Sequence, residues 1–467
     1  SDERAYSGAD QSEEDQWTGL QQTGKCVCSE ITIQQDNEYR GANYLLARLV
    51  VILQAITLLA TVIGSRSGGC DGGMKKVILS LALGTFGLGM AEFGIMGVLT
   101  ELAHNVGISI PAAGHMISYY ALGVVVGAPI IALFSSRYSL KHILLFLVAL
   151  CVIGNAMFTL SSSYLMLAIG RLVSGFPHGA FFGVGAIVLS KIIKPGKVTA
   201  AVAGMVSGMT VANLLGIPLG TYLSQEFSWR YTFLLIAVFN IAVMASVYFW
   251  VPDIRDEAKG KLREQFHFLR SPAPWLIFAA TMFGNAGVFA WFSYVKPYMM
   301  FISGFSETAM TFIMMLVGLG MVLGNVLSGR ISGRYSPLRI AAVTDFIIVL
   351  ALLMLFFCGG MKITSLIFAF ICCAGLFALS APLQILLLQN AKGGELLGAA
   401  GGQIAFNLGS AVGAYCGGMM LTLGLAYNYV ALPAALLSFA AMSSLLLYGR
   451  YKRQQAADSP VLAKPLG

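Results

Sequence analysis

Apolar runs of about 20 residues recur along this chain, separated by short polar stretches. A helix of that length crosses a hydrocarbon core of roughly 30 Å, because each residue rises about 1.5 Å. From Met74 onward the pattern predicts twelve spans, at roughly 77–102, 114–134, 141–159, 164–190, 199–223, 231–251, 275–298, 307–329, 338–359, 363–389, 397–423 and 427–449. One connection, Pro252 to Pro274, is long and highly charged. It divides the body into a six-span half at 74–251, a central loop at 252–274, a second half at 275–449 and a tail at 450–467.

The stretch before Met74 follows a different pattern. Ser1 to Arg40 holds nine Asp/Glu against three Lys/Arg. One further candidate span follows at 44–63, interrupted by Arg48 and Gln54, and then a Gly/Ser-rich linker leads to Met74-Lys75-Lys76. Residues 1–73 therefore read as a fusion, tag or upstream extension, with a fused single-span regulatory segment as the alternative.

Composition agrees with the pattern. Only 11% of the residues are charged and 57% are hydrophobic, with a mean hydropathy of +0.78, whereas a soluble domain carries about 25% charged residues. The fold class expected is an all-α polytopic membrane protein, since lipid cannot satisfy free backbone groups and helices satisfy their own. The net charge of +8 does not imply nucleic acid, because the basic residues gather in alternate loops. Placing Lys75, Lys76, Arg137, Lys141, Lys191, Lys194, Lys197, the central loop, Arg330, Arg334, Arg339, Lys392 and the tail on one side collects 20 of the 24 Lys/Arg after residue 73. By the positive-inside rule that side is cytoplasmic, with both ends of the body on it. Five of the eight cysteines (Cys151, Cys358, Cys372, Cys373, Cys416) lie in apolar runs and read as small core residues, and Cys26-x-Cys28 has no second pair to complete a zinc site. No nucleotide loop or nucleophile triad is present in the sequence, so an enzyme is not expected.

The halves repeat. Gly127 and Ser136-Arg137-Tyr138-Ser139-Leu140-Lys141 recur 197 positions later as Gly324 and Gly333-Arg334-Tyr335-Ser336-Pro337-Leu338, and Phe86-Gly87 recurs as Phe283-Gly284 at the same offset. Asn213-Leu214…Gly220-Thr221-Tyr222 is echoed by Asn407-Leu408…Gly413-Ala414-Tyr415. Such parallel repeats are what halves rocking about a midplane site would require.

One charge stands out against this apolar background. Glu92 lies in mid-run in the first span, where a carboxylate costs roughly 3 kcal/mol on insertion scales. Counting residues puts it about 22 Å above the start of span 1, and Arg171 about 10 Å below the start of span 4, so the two lie at similar height. A carboxylate beside a cation keeps its charge, and one in an apolar cavity keeps its proton. A group that alternates between those settings moves protons. The equivalent of Glu92 in the second half is the uncharged Phe289, so proton handling is expected in the first half. Asp345 is expected to pair locally with Arg339. Lys296 and Arg230 are expected to snorkel at the rim.

The segments Gly84-Thr85-Phe86…Ala91-Glu92-Phe93, Tyr120-Ala121-Leu122-Gly123…Gly127-Ala128-Pro129, Arg171…His178-Gly179-Ala180-Phe181 and Gly216-Ile217-Pro218-Leu219-Gly220 with Trp229-Arg230…Phe233 together resemble the proton-antiporter (DHA1-type) branch of the major facilitator superfamily. The resemblance covers 74–467 and implies the major-facilitator fold of two six-helix halves. It implies proton-driven export by alternating access, with a sugar such as arabinose as the expected cargo. The alternatives are a multidrug exporter of the same fold, uptake by symport, and a non-transporting sensor or scaffold. The expected setting is a bacterial inner membrane, with a monomer, no nucleic-acid partner and the proton gradient in place of a cofactor.

The resemblance also assigns residues. Gly208, Gly216, Pro218 and Gly220 match the antiporter motif of span five. Arg137, Lys141, Arg334 and Arg339 match the cytoplasmic gating loops, although Ser136 stands where the family has an Asp, which weakens the latch. Glu92, Arg171 and His178 are the proton-coupling candidates. The cavity between the halves is expected to draw on His115, Tyr119, Asn213, Asn285, Trp291, Tyr294, Gln403 and Asn407, amides and rings that suit a sugar as well as a lipophilic drug.

Overall fold

The structure is a computed structural model and describes residues 72–134, 138–194, 198–255, 267–332, 334–391 and 395–458. The candidate span at 44–63, the cysteines at 26, 28 and 70, Arg137 and most of the central loop lie outside the described residues. The described secondary structure is helical throughout. Among the described residues, twelve helices are long and apolar enough to cross a membrane: Gly72–Gly97, Ile110–Gly127, Leu140–Leu160, Tyr164–Ile192, Ala201–Glu226, Trp229–Trp250, Pro272–Phe292, Glu307–Ile331, Pro337–Cys358, Lys362–Asn390, Ala400–Thr422 and Tyr427–Gln455. Numbered as spans 1–12 in chain order, they match the expected runs to within a few residues at most ends. The near face is the one from which span 1 starts, beside Lys75 and Lys76. The far face is opposite.

Local chemistry sets many of the boundaries. Serines 139, 163, 228, 271 and 336 cap spans 3, 4, 6, 7 and 9, each side chain accepting a backbone N–H of the first turn. Pro272 and Pro337 stand in the first turn, where the missing N–H costs nothing. Between spans 1 and 2 the short helix Leu99–Val106 ends at Gly107, whose φ of 72° needs a residue without Cβ. Phe249, Phe312, Phe357 and Leu436 are 67–75% exposed on outward faces, a distribution suited to lipid rather than water.

Packing repeats as the sequence does. In the first half span 1 packs on spans 5 and 6, span 3 on spans 4 and 6, and span 2 on span 4. The second half has the same pairings six spans later: 7 on 11 and 12, 9 on 10 and 12, and 8 on 10. The repeated glycines serve equivalent contacts. A side chain at Gly127 would collide with the Phe176 carbonyl of span 4, and one at Gly324 with the Ala374 carbonyl of span 10. Small residues permit such close approach in lipid, where packing rather than water drives helix association. The halves meet along two seams, span 2 against span 11 and span 5 against span 8.

Three spans of the first half depart from α-geometry. Span 1 tightens into a 3-10 turn at Gly94–Gly97, two residues after Glu92. Span 4 breaks at Phe176, because Pro177 has no N–H to donate. Span 5 widens into a π-turn at Ala212–Gly216. Such irregular turns inside helices mark functional positions more often than chance.

Candidate functional site

The break in span 4 turns His178 toward span 1. Its Nε2 lies 3.6 Å from Glu92 Oε2, and both side chains are buried. The other ring nitrogen, Nδ1, shares a hydrogen bond of 2.9 Å with the Tyr120 hydroxyl from span 2. Tyr120 also reaches the Leu88 carbonyl at 3.3 Å. Phe182 stacks on the imidazole with ring centroids 5.4 Å apart. Glu92, His178 and Tyr120 therefore form a buried chain of titratable side chains crossing spans 1, 4 and 2. The Glu92 Oε2 and His178 Nε2 atoms have no hydrogen-bond partner.

Arg171 is fully buried beside this chain and forms no ion pair among the described residues. Nη1 donates to the Ala91 carbonyl at 2.7 Å, Nε donates to the Met116 carbonyl at 3.2 Å, and the guanidinium lies 4.4 Å from the Tyr120 ring centre. Phe158 and Phe233 close the cage at 5.6 and 5.7 Å. Depth matching places Arg171 level with Glu92, and the structure brings its guanidinium to the carbonyl of the adjoining residue. The Glu92 carboxyl turns instead to His178. Tyr120, which bonds His178 and lies against Arg171, stands in the Tyr120-Ala121-Leu122-Gly123 segment that carries the resemblance but is not among the proton-coupling candidates read from the sequence.

The remaining candidates separate into three groups. Asn285 and Gln403 line a cavity of about 60 Å³ between spans 7, 10 and 11, together with Thr281, Ser380, Gln384 and Phe406. This volume holds a few waters. Asn407 donates to the Gln403 carbonyl behind it. The side-chain oxygens of Asn285 and Asn407 are without partners. At the seam, the Asn213 carbonyl abuts Gly318 of span 8 and its buried amide is unpartnered, while the Tyr294 hydroxyl donates to Ala414 and lies against Gly114 of the first half. His115 bonds the Tyr164 hydroxyl at 3.1 Å and stacks on Tyr415, Tyr119 lies 3.4 Å from the same hydroxyl, and Trp291 packs on Tyr298 inside the second half. None of the last three lines the cavity.

In span 5 a side chain at Gly208 would collide with the Ala82 carbonyl of span 1, one at Gly216 would lie 2.5 Å from Met90 Cγ, and one at Gly220 would lie 2.7 Å from Thr232 Cγ2. Pro218 stands in the first turn after the π-turn. These residues seat span 5 on spans 1 and 6. In the gating loops Lys141 lies over the Tyr248 ring at 5.1 Å, and Arg334 and Arg339 are exposed on the near face.

Two expectations are corrected. Lys296 does not snorkel: its side chain is fully buried at the far face, paired with Glu101 and 3.7 Å from Glu307. Turning the helix after span 7 inward (Val295–Phe301) brings it to the carboxylate that follows span 1. Asp345 does not pair with Arg339: six residues turn an α-helix by about 240°, which buries Asp345 and leaves Arg339 exposed. Gln225, from the end of span 5, adds a second far-face tie between the halves, donating to the Glu307 carbonyl at 2.6 Å and accepting from Thr311 at 3.1 Å.

Comparison with known proteins fits this architecture. A family model described as the Major Facilitator Superfamily matches residues 81–404. The chain is 99% identical to AraJ of Escherichia coli strain K12 over 394 residues, 84% of this chain and all of that protein. It is 32% identical to the inner membrane transport protein YdhP of the same strain over 379 residues, 81% of this chain and 96% of YdhP. Among solved structures, a point mutant of the nucleoside transporter NupG superposes with a TM-score of 0.67 at 10% identity, covering 81% of this chain and all of NupG. A bacterial homologue of the human lysosomal transporter Spinster, inward-facing and occupied, gives 0.65 at 15% identity, covering 82% and 98%.

Proposed function

The chain belongs to the major facilitator superfamily of membrane transporters, and from that premise we propose that it exports a small molecule in exchange for protons by alternating access. The observation that carries this reading is the buried chain Glu92–His178–Tyr120, which sits where spans 1 and 4 break from α-geometry. A carboxyl with an unpartnered oxygen beside an unpartnered ring nitrogen is a place where one proton can be held or passed on. Arg171 sits across Tyr120 from His178, so loading of the chain and the position of spans 1, 2 and 4 are linked through one ring.

The basic near face is the cytoplasmic one in this reading, and the membrane is a bacterial inner membrane. The chain acts as a monomer, with the proton gradient as driving force. The cargo is a sugar such as arabinose, because the cavity walls offer the amides of Asn285, Gln384 and Gln403 and the hydroxyls of Thr281 and Ser380. At about 60 Å³ the cavity must widen to admit a sugar, since small-molecule sites run to about 300 Å³ and more. A second reading, export of lipophilic drugs, is favoured by the aromatic cluster that Phe93 forms with Phe289, Phe292 and Phe377 at 6.0–6.3 Å.

The test uses everted membrane vesicles carrying a proton gradient. Adding radiolabelled L-arabinose, or a lipophilic cationic dye for the second reading, should dissipate the gradient as cargo accumulates. Glu92→Gln should abolish that exchange while the protein remains folded in the membrane. Unchanged exchange in Glu92→Gln overturns the coupling role, and proton movement with neither probe favours a sensor or scaffold.

A further inference from the structure

The second half holds a carboxylate that the sites above do not use. Asp345 lies on span 9, about 12 Å from its start at 1.5 Å per residue. It is fully buried, and neither carboxyl oxygen has a hydrogen-bond partner. Its walls come from three other spans. A Cβ placed on Gly284 of span 7 would lie 3.3 Å from Asp345 Oδ1, 3.5 Å from Leu379 of span 10 and 3.6 Å from Ala441 of span 12. None of these residues titrates. Span 7 carries no ionisable group. The ionisable groups of span 10 are Lys362, Cys372 and Cys373, those of span 12 are Tyr427, Tyr429, Tyr448, Arg450, Tyr451, Lys452 and Arg453, and span 9 itself adds Arg339 and Cys358. No described cation lies within ion-pair distance of Asp345. Ser438 Oγ, also without a partner, lies against Gly287 one turn further along span 7.

Burying an unpaired carboxylate in such surroundings costs far more than burying a neutral carboxyl with unmet hydrogen bonds. The site therefore accommodates the acid and not the anion, and a charge can form there only when water enters. Leu379, which lies beside the same face of Gly284 as Asp345 Oδ1, also lines the amide cavity with Thr281 and Asn285, so the carboxyl and the cavity adjoin one side chain.

We propose that Asp345 is a second proton-binding site, belonging to the second half, which fills and empties through the amide-lined cavity when Leu379 and the Gly284 face of span 7 separate. Emptying transfers the proton from the carboxyl to cavity water and leaves a hydrated carboxylate, with no further reactant. The proposal extends the proton-coupled reading to the second half, and its spectroscopic test is independent of that reading.

Infrared difference spectra of the full chain in lipid vesicles test the first part. Near neutral pH, where an ordinary Asp is ionised, the chain should show a carboxylic-acid carbonyl band that Asp345→Asn loses and Glu92→Gln keeps. Carbon-13 labelling of the aspartate carboxyls assigns the band in the unsubstituted chain even if the variant does not fold. Absence of an aspartic-acid band overturns the proposal. Spin-label distances between the near-face ends of spans 5 and 10 test the second part. Raising the pH from about 6 to about 9 should lengthen that distance, and Asp345→Asn should lose the alkaline part of the change. An identical pH response in Asp345→Asn overturns the role in opening. Normal exchange by Glu92→Gln alongside an intact Asp345 band would refute the Glu92 reading and leave this one standing.

Discussion

Lys296→Met tests how far the closed far face depends on one ion pair between the halves. Lys296 follows span 7 and is fully buried, while its partner Glu101 follows span 1 and is 17% exposed. Removing one member of a buried pair costs about 3–5 kcal/mol, because the other charge is left without compensation. Partial exposure of Glu101 puts the expected cost at the lower end, about 3 kcal/mol. Glu307 is 54% exposed and adds at most about 0.5 kcal/mol after solvent screening. The pair bridges the two halves at the far face, so parting the halves there breaks it, and the cost falls on the balance between closed and open far faces. At 1.4 kcal/mol per tenfold, about 3 kcal/mol moves that balance roughly a hundredfold toward open. Pulsed spin-label distances between the far-face ends of spans 5 and 8, or the rate at which a single cysteine on the seam is alkylated from the far side, would measure it. Glu101→Gln should produce the same shift, and the double variant should recover most of it, since no unpaired charge remains. Single variants that move the balance less than about threefold, or effects that simply add, would refute the reasoning.

Three further outcomes are expected. Tyr120→Phe removes the hydroxyl that meets His178 Nδ1 and the Leu88 carbonyl, costing about 1–3 kcal/mol, and should lower proton-coupled exchange far more than thermal stability in membranes. Arg171→Lys keeps the charge but cannot serve the Ala91 and Met116 carbonyls with one planar fork, so a loss of about 2–3 kcal/mol is expected, read as a lower unfolding temperature. Removing residues 1–73 should leave exchange per folded molecule unchanged, checked in vesicles normalised for protein amount.

Much of the fold was legible in the chain because lipid imposes a simple rule. Every crossing must be a helix of about 20 apolar residues, and the twelve described spans stand close to the twelve apolar runs. The repeat was legible for a similar reason: Gly127 and Gly324 occupy positions where a neighbouring carbonyl leaves no room for a side chain. Glu92 was legible as an expensive charge. Lys296 and Asp345 were misread, because counting residues along a helix gives height but not direction. Lys296 looks like a rim lysine until the turn after span 7 carries it inward to Glu101. Asp345 looks like a partner for Arg339 until the helix turns the two to different faces.

The sequence by itself therefore determined the solvent of this protein, the twelve crossings found among the described residues, the duplication of its halves and the presence of a costly acid in mid-membrane. Those properties follow from composition and spacing, which act on each segment separately. The tertiary structure decided which groups meet: that Glu92 faces His178 rather than Arg171, that Tyr120 joins them, and that Asp345 is buried against the Gly284 face of span 7. Such meetings depend on the rotation and breaks of three or four helices at once. The missing N–H of Pro177 and the 3-10 turn after Phe93 are local features of the chain, but their effect exists only where spans 1, 2 and 4 converge.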